Sequence, residues 1–150
     1  MYDPVIQFYD QLASDYHLIF ADWKQAVLTQ GQILDALIRA EASPPVKSVL
    51  DCSCGIGTQA IGLALRGYRV HATDLSPAAV ERARHEAASF GVEITFGIAD
   101  LRSLQKEVAG TFDVVISCDN ALPHLLQDTD LQEAARSLWS KLVAGGLLLV

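Results

Sequence analysis

Apolar and polar positions change rhythm once along this chain of 150 residues. Through about residue 42 the apolar positions recur at helical spacing, and Leu28, Ile33, Leu34, Leu37 and Ile38 form the clearest run. Ser43-Pro44-Pro45 ends it, because proline removes a helical hydrogen bond and crowds the preceding turn. The aromatic residues Tyr2, Phe8, Tyr9, Tyr16, Phe20 and Trp23 crowd the part before that run. Beyond the prolines, short apolar runs alternate with longer amphipathic ones. The short runs, at 48–50, 69–73, 93–97, 113–117 and 147–150, predict strands. The longer ones, at about 58–66, 77–89 and 129–142, predict helices, and 101–108 reads as a short helix or a loop. Ser76-Pro77 supplies a helix cap followed by proline at the first helical position. Gly67 and Gly91 follow helical stretches, where a left-handed cap is wanted.

Repeated strand–helix–strand units predict an α/β fold with a doubly wound, mainly parallel sheet and helices on both faces. Residues 1–44 are expected to form an N-terminal helical lid and residues 45–150 the core. Ligands of such sheets bind beyond the carboxyl ends of the strands. Ala144-Gly145-Gly146 leads into the last apolar run, which reads as the opening of a buried strand. The expectation is a fragment incomplete at its C-terminus, or a chain that another copy completes at the exposed edge.

Composition narrows the class. Hydrophobic residues make up 51% of the chain, enough for one domain with a real core. The apolar runs fall short of a bilayer span, and no basic-then-apolar leader precedes them, so a soluble cytoplasmic protein without a membrane partner is expected. The net charge of −7 argues against a broad nucleic-acid footprint. Three cysteines, Cys52, Cys54 and Cys118, are an odd number that argues against a disulfide framework.

The stretch from Val49 to Thr58 carries the chemistry. An apolar strand ends in Asp51, and a turn of small residues, Cys52-Ser53-Cys54-Gly55-Ile56-Gly57, follows it. Such a turn lets a ligand lie against bare backbone at a strand tip. Two more strands end in acids. Asp74, with Leu75 beside it, is placed to accept both hydroxyls of a ribose, and Asp100 to accept from an exocyclic amine with Leu101 as an apolar wall. Each aspartate alone also fits a cap or a turn, but three at successive strand tips point to one elongated ligand. Gly55-x-Gly57-x-x-Ala60 leaves a dinucleotide open as well. Asp51, below the glycine turn, could hold a backbone loop or a cationic ligand group, and a carboxylate there disfavours a pyrophosphate and favours a sulfonium or ammonium group.

Asp51-x-Ser53-x-Gly55-x-Gly57 resembles the first motif of the class I S-adenosylmethionine-dependent methyltransferases, with serine at position 53 where glycine is commoner. Asp74 resembles that family's ribose-binding acid, Asp100-Leu101 its adenine-contacting pair, and Ala144-Gly145-Gly146 the motif before its fifth strand. The resemblance covers about residues 47–150 and implies a Rossmann-like fold with S-adenosylmethionine as cofactor and S-adenosylhomocysteine as product. The segment 117–125 and Tyr9-Asp10-Gln11-Leu12-Ala13 are similar to parts of glycine N-methyltransferase-like enzymes. By that resemblance Cys118 contacts the methionine part of the cofactor, while Asn120 and His124 face the methyl group or the substrate. Residues 22–30 lack the arginine that those enzymes carry there, so glycine itself is not the expected acceptor.

The implied reaction is in-line methyl transfer to a nitrogen or oxygen of a small molecule. Alignment and exclusion of water are then the protein's main tasks. A base is needed only for a protonated acceptor, and His124 is the best candidate because imidazole titrates near neutral pH. Its bland alternative is a histidine bonded to backbone at a helix start. Tyr9, Tyr16 and Trp23 are candidate lid residues over the cofactor, although their helical spacing also describes ordinary packing. No metal is expected, since Cys-x-Cys spacing is unusual for zinc and small buried turn residues explain both thiols. Two other functions stay open: a nicotinamide-dependent oxidoreductase, and a non-catalytic methyltransferase-like binding module.

Overall fold

The computed structural model describes residues 4–43 and 45–150, so Tyr2 and Pro44 lie outside the described residues. The N-terminal stretch is two helices, α1 (Pro4–Leu12) and α2 (Trp23–Glu41), joined through a 3-10 turn at Tyr16–Ile19. Strands and helices then alternate: β1 (Ser48–Asp51), α3 (Thr58–Ala64), β2 (Arg69–Asp74), α4 (Pro77–Phe90), β3 (Thr95–Ile98). A single turn α5 (Leu104–Glu107), β4 (Phe112–Ile116), a 3-10 turn at Leu122–His124, α6 (Asp128–Ser140) and β5 (Leu142–Leu149) complete the order. The five strands form one parallel sheet in the order β3-β2-β1-β4-β5.

Residues of β1 and β4 are buried on both faces, which is why they read as unbroken apolar runs rather than alternating ones. Val49 packs with Leu34, Ile38 and Leu63 under α2 and α3, while Leu50 packs with Leu104 and Leu138 under α5 and α6. The sheet is thus covered on both sides, and β1 is its centre.

Helix α2 belongs to this core. Its buried stripe is Trp23, Val27, Gly31, Leu34 and Ile38, whereas Leu28, Ile33 and Leu37 face outward. It crosses α3 so closely that a Cβ on Gly31 would lie 2.5 Å from the Gly62 carbonyl oxygen. Two glycines therefore set the distance between these helices. Helix α4 begins as expected: the Ser76 hydroxyl accepts from the Ala79 amide at 3.1 Å, and Gly91 ends the helix at φ 68°.

The fifth strand differs from the expectation of a start at residue 147. It begins at Leu142, directly after α6, and Ala144-Gly145-Gly146 lies inside it. Phe112 pairs with Leu142 and Val114 with Leu147, so β5 loops outward between the two pairs. Gly145, at φ 76°, permits that excursion. Among the described residues no helix is long and apolar enough to cross a membrane.

Candidate active site

The sheet brings the tips of β1 to β4 to one edge, and a cavity opens there. Its floor is the turn after β1, with Ser53, Gly55 and Ile56 exposed to it. Asp74 and Leu75 form one wall, Asp100, Leu101 and Arg102 the next, and Cys118 and Asp119 the far side. Tyr9, Ala13 and Tyr16 cover it from the N-terminal segment, and His124 from the loop after β4.

The floor is built by the backbone. The Cys54 amide donates to the Thr73 carbonyl at 2.9 Å, and the Gly57 amide to the Cys54 carbonyl at 2.8 Å, which ties the turn to β2. Gly55 adopts φ 52°, and a Cβ there would meet nothing within 4 Å. Bare backbone therefore faces open space at this point. Gly57 does a different job. At φ 95° it starts α3, and a Cβ there would press on Ile61 at 3.0 Å and Ala83 at 3.3 Å. It is a packing glycine and does not line the cavity.

Asp74 joins floor to wall. Its carboxylate accepts from the Gly55 amide at 2.8 Å and the Ser76 amide at 2.9 Å. Burial still pushes this carboxyl above its ordinary value, against those bonds. Its oxygens have lone pairs left for a ligand diol.

Asp51 lies elsewhere. It is fully buried behind the turn, one oxygen accepts weakly from the Ser53 amide at 3.3 Å, and the other has no hydrogen-bond partner. Burial pushes its carboxyl up to about 8. The negative character of the cavity thus comes from Asp74, Asp100, Asp119 and Asp130, which line it, and not from Asp51. Of the two roles open to Asp51, the fold favours the backbone one: the turn folds over the carboxylate and donates the Ser53 amide to it, and the group does not line the cavity.

Asp100 is engaged from within the chain. Arg102 grips it with Nη2 at 2.6 Å from Oδ2, and its own amide donates to Oδ1 at 2.8 Å. Burial raises the Asp100 carboxyl, but these bonds and the guanidinium charge outweigh it and hold the group below its ordinary value. Ser53 bridges the first and fourth strand tips, its hydroxyl lying 3.1 Å from the Ser117 hydroxyl and 3.4 Å from the Cys118 carbonyl. The Cys118 thiol lines the cavity as an unionised group, pushed up to about 12 by burial. All three cysteines are free.

After β4 the chain takes two left-handed steps, Asp119 at φ 58° and Asn120 at φ 63°. Aspartate and asparagine are the non-glycine residues that take such steps most readily. The Gln59 amide nitrogen donates to Asp119 and to Gln30, each at 2.6 Å, and so fixes this loop to α3 and α2. The loop turns Asp119 into the cavity wall and leaves Asn120 exposed and outside it. His124 follows, with Nε2 2.7 Å from the Tyr9 hydroxyl and the two rings edge-to-face at 5.4 Å. Burial raises the phenol pKa of both Tyr9 and Tyr16, so neither ionises near neutral pH.

Trp23 is the remaining departure. It is 7% exposed, donates from Nε1 to the Thr58 hydroxyl at 2.9 Å, and packs edge-on against Phe90. The core takes it, so it is no part of the cavity cover. Conversely, Gln59, Arg102 and Asp119 line the cavity without having stood out in the sequence. For Asp119 a signal existed: an Asp-Asn pair directly after a strand favours left-handed backbone. Among the described residues no three His, Cys, Asp or Glu side chains are grouped to hold a metal ion.

The family model described as a methyltransferase domain matches residues 49–146. The glycine/sarcosine N-methyltransferase of Parasynechococcus marenigrum is 29% identical over 129 residues, covering 86% of this chain and 45% of that protein. The ubiquinone biosynthesis O-methyltransferase of Azotobacter vinelandii is 35% identical over 92 residues, covering 61% of this chain and 39% of that protein. The chain thus spans less than half the length of both relatives. In fold it is similar to the crystal structure of Streptomyces venezuelae DesVI, with TM-score 0.78 and 22% identity over 91% of this chain and 56% of that one. A parallel sheet of this order, a bare glycine turn at the tip of its central strand, and a family match running from that strand to the fifth place the chain in the methyltransferase domain family.

Proposed function

We propose that the chain forms the S-adenosylmethionine-binding part of an enzyme that methylates a nitrogen or oxygen atom of a small molecule. One observation carries the reading: the carboxylates of Asp74 and Asp100 stand at adjacent strand tips beside the open backbone of Gly55. That donor set suits an adenosyl ligand, with a diol for Asp74, an amine for Asp100, and an apolar base between Leu75 and Leu101. It suits a pyrophosphate poorly. Among the described residues Arg102 is the one lysine or arginine in the wall, and both Asp100 and Asp130 already neutralise it. This disfavours the nicotinamide alternative.

When bound, the cofactor supplies a methyl group activated by its sulfonium. The chain's residues then have three tasks. Asp74, Asp100 and the backbone around Cys118 fix the orientation of the ligand, which supplies most of the rate enhancement such a reaction needs. Residues 4–19 act as the lid, with Tyr9 and Tyr16 excluding water from the reacting centre. For an acceptor that arrives protonated, His124 is the base, and the Tyr9 hydroxyl, 2.7 Å from its Nε2, orients its ring. Free thiols at all three cysteines fit a reducing, cytoplasmic setting.

The test is calorimetric titration with S-adenosylmethionine and S-adenosylhomocysteine, with NAD as the control. Saturable binding of the adenosyl ligands, weakened in Asp74→Ala, is the expected result. Binding of NAD in their place would overturn the proposal.

A further inference from the structure

The loop after β4 brings a set of hydrogen-bond acceptors to the cavity, and they are fixed from beneath. Gln59 is 3% exposed and lines the cavity. Both hydrogens of its side-chain amide are committed, one to Gln30 of α2 and one to Oδ2 of Asp119, each at 2.6 Å. What the amide has left to offer is its carbonyl oxygen, an acceptor. Among the described residues, Oδ1 of Asp119 and the Tyr16 hydroxyl take no hydrogen bond either. Burial, and after it the charge of Asp119, raises the Tyr16 phenol, so these two groups lie within electrostatic reach of each other. The one lysine or arginine among the described residues of the cavity wall is Arg102, and Asp100 and Asp130 hold it. It follows β3, which β2 and β1 separate from β4, so it stands at the other end of the strand order from Asp119.

We propose that the methyl acceptor is an amine that docks here as an ammonium, that Asp119 selects it, and that an acceptor carrying its own carboxylate or phosphate is turned away. This acceptor class rests on the cofactor reading above and narrows it from nitrogen or oxygen to nitrogen. A protonated amine brings a positive charge and two or three N–H donors, which Asp119, the Gln59 carbonyl and the Tyr16 hydroxyl can each accept. A hydroxyl acceptor brings one donor and no charge. A ligand carboxylate or phosphate would face Asp119 as a like charge. Gln59, with both its hydrogens spent, could not donate to it. An acceptor on so buried a side chain is also costly to leave unpaired, and a ligand N–H relieves that cost. The Asp119 carboxylate is held as well as present. Residues of α2, α3 and the loop after β4 converge on one buried amide, which sets the direction in which Asp119 accepts. An ammonium is also the case that calls for a base, and His124 lines the same cavity.

The experiment titrates the protein, saturated with S-adenosylhomocysteine at about pH 7, with ethylammonium, ethanol and propionate, three probes of similar size, and follows them by NMR. It is repeated on Asp119→Asn. Asparagine takes the left-handed step readily and can still accept from Gln59, so this variant keeps the loop and removes the charge. The wild type is expected to bind ethylammonium saturably and about tenfold or more tighter than ethanol, with propionate weakest. In Asp119→Asn the preference for ethylammonium over ethanol should fall to within about twofold, while calorimetry finds S-adenosylhomocysteine affinity within about twofold of the wild type. A larger fall in that affinity would mean that Asp119 serves the ammonium of the cofactor, and the proposal would be overturned. A preference unchanged in Asp119→Asn overturns it too. So does wild-type protein that binds ethanol or propionate as tightly as ethylammonium, or that binds no ethylammonium saturably; the cofactor reading survives each of these. Failure of the wild type to bind S-adenosylhomocysteine overturns that reading and this inference together.

Discussion

The floor of the cavity is made from strand tips rooted in the core, whereas in its roof, α1, no residue is fully buried. Asp51 and Cys54 are sunk below the floor, and the turn between them is tied to β2 by backbone bonds. The roof depends on a few polar links. Asp10 accepts from the Ser76 hydroxyl and the Ala78 amide, Arg82 donates to the Ser14 carbonyl at 2.8 Å, and Tyr9 meets His124. Apolar burial contributes to stability in proportion to area, while a single exposed polar link contributes about 1 kcal/mol or less and the part-buried bonds to the Asp10 carboxylate about 1.5–3 kcal/mol. The floor is therefore expected to be preformed and the roof free to open at low cost, which is the division of labour that ligand entry needs.

The largest effect should come from beneath the floor. Gly31→Val places atoms where the Gly62 backbone already lies, since even a Cβ would sit 2.5 Å from its carbonyl oxygen. Neither backbone can move without displacing α2 or α3 from the sheet. A loss of about 3 kcal/mol or more is expected from such overpacking, read as a lower midpoint in urea unfolding. A variant as stable as the wild type would mean that the α2–α3 crossing is soft and the contrast with the roof unfounded.

Next is Asp74→Ala, which acts on ligand binding more than on the fold. It removes the acceptor of two backbone amides as well as a ligand contact. Hydrogen bonds to a charged group are worth about 1.5–3 kcal/mol, so S-adenosylhomocysteine affinity should fall roughly ten- to a hundredfold. Titration calorimetry checks it.

How much of this contrast was legible in the sequence follows from which forces leave a pattern. The buried run Val70, Ala72, Thr73 stops at Asp74, and the short run 96–98 of the edge strand β3 stops before Asp100, so both acids could be read as strand tips. The start of β5 could not, because Leu142-Val143 precedes a glycine pair that resembles a turn and proves to be an excursion within the strand. The fate of Asp51 also needs three dimensions. Its sequence neighbours are those of a ligand-facing acid, and only the closure of the turn over it reveals the burial. Trp23 and Tyr16 share the aromatic pattern of the N-terminal region, yet one fills the core and the other faces the cavity. Spacing describes a face of a helix, not what lies against it.

The buried acid beneath the floor offers a pH test. Asp51 is held up to about 8 by burial, whereas in the unfolded chain an aspartate titrates near 4. Between those values the folded state binds the extra proton. Stability from this group is therefore complete below about pH 4 and is lost as the pH rises toward about 8. Asp51→Asn, which cannot ionise, should flatten the decline in urea midpoint between about pH 5 and about pH 8. Parallel pH profiles for the two proteins would mean that Asp51 is not the source of the slope.

Tyr9→Phe should have the smallest effect, and it probes the roof alone. The substitution keeps the ring, its edge-to-face contact with His124 and its packing beside Phe8, and removes only the hydroxyl. Because the bond is exposed, the cost to folding should stay below about 1 kcal/mol. Its consequence belongs to the kinetics of the lid. With one fewer link between α1 and the loop after β4, S-adenosylhomocysteine should dissociate severalfold faster, as stopped-flow displacement would show, while its association rate changes little. A fall in stability approaching that of Gly31→Val would place α1 within the cooperative core, and floor and roof would then be one structure.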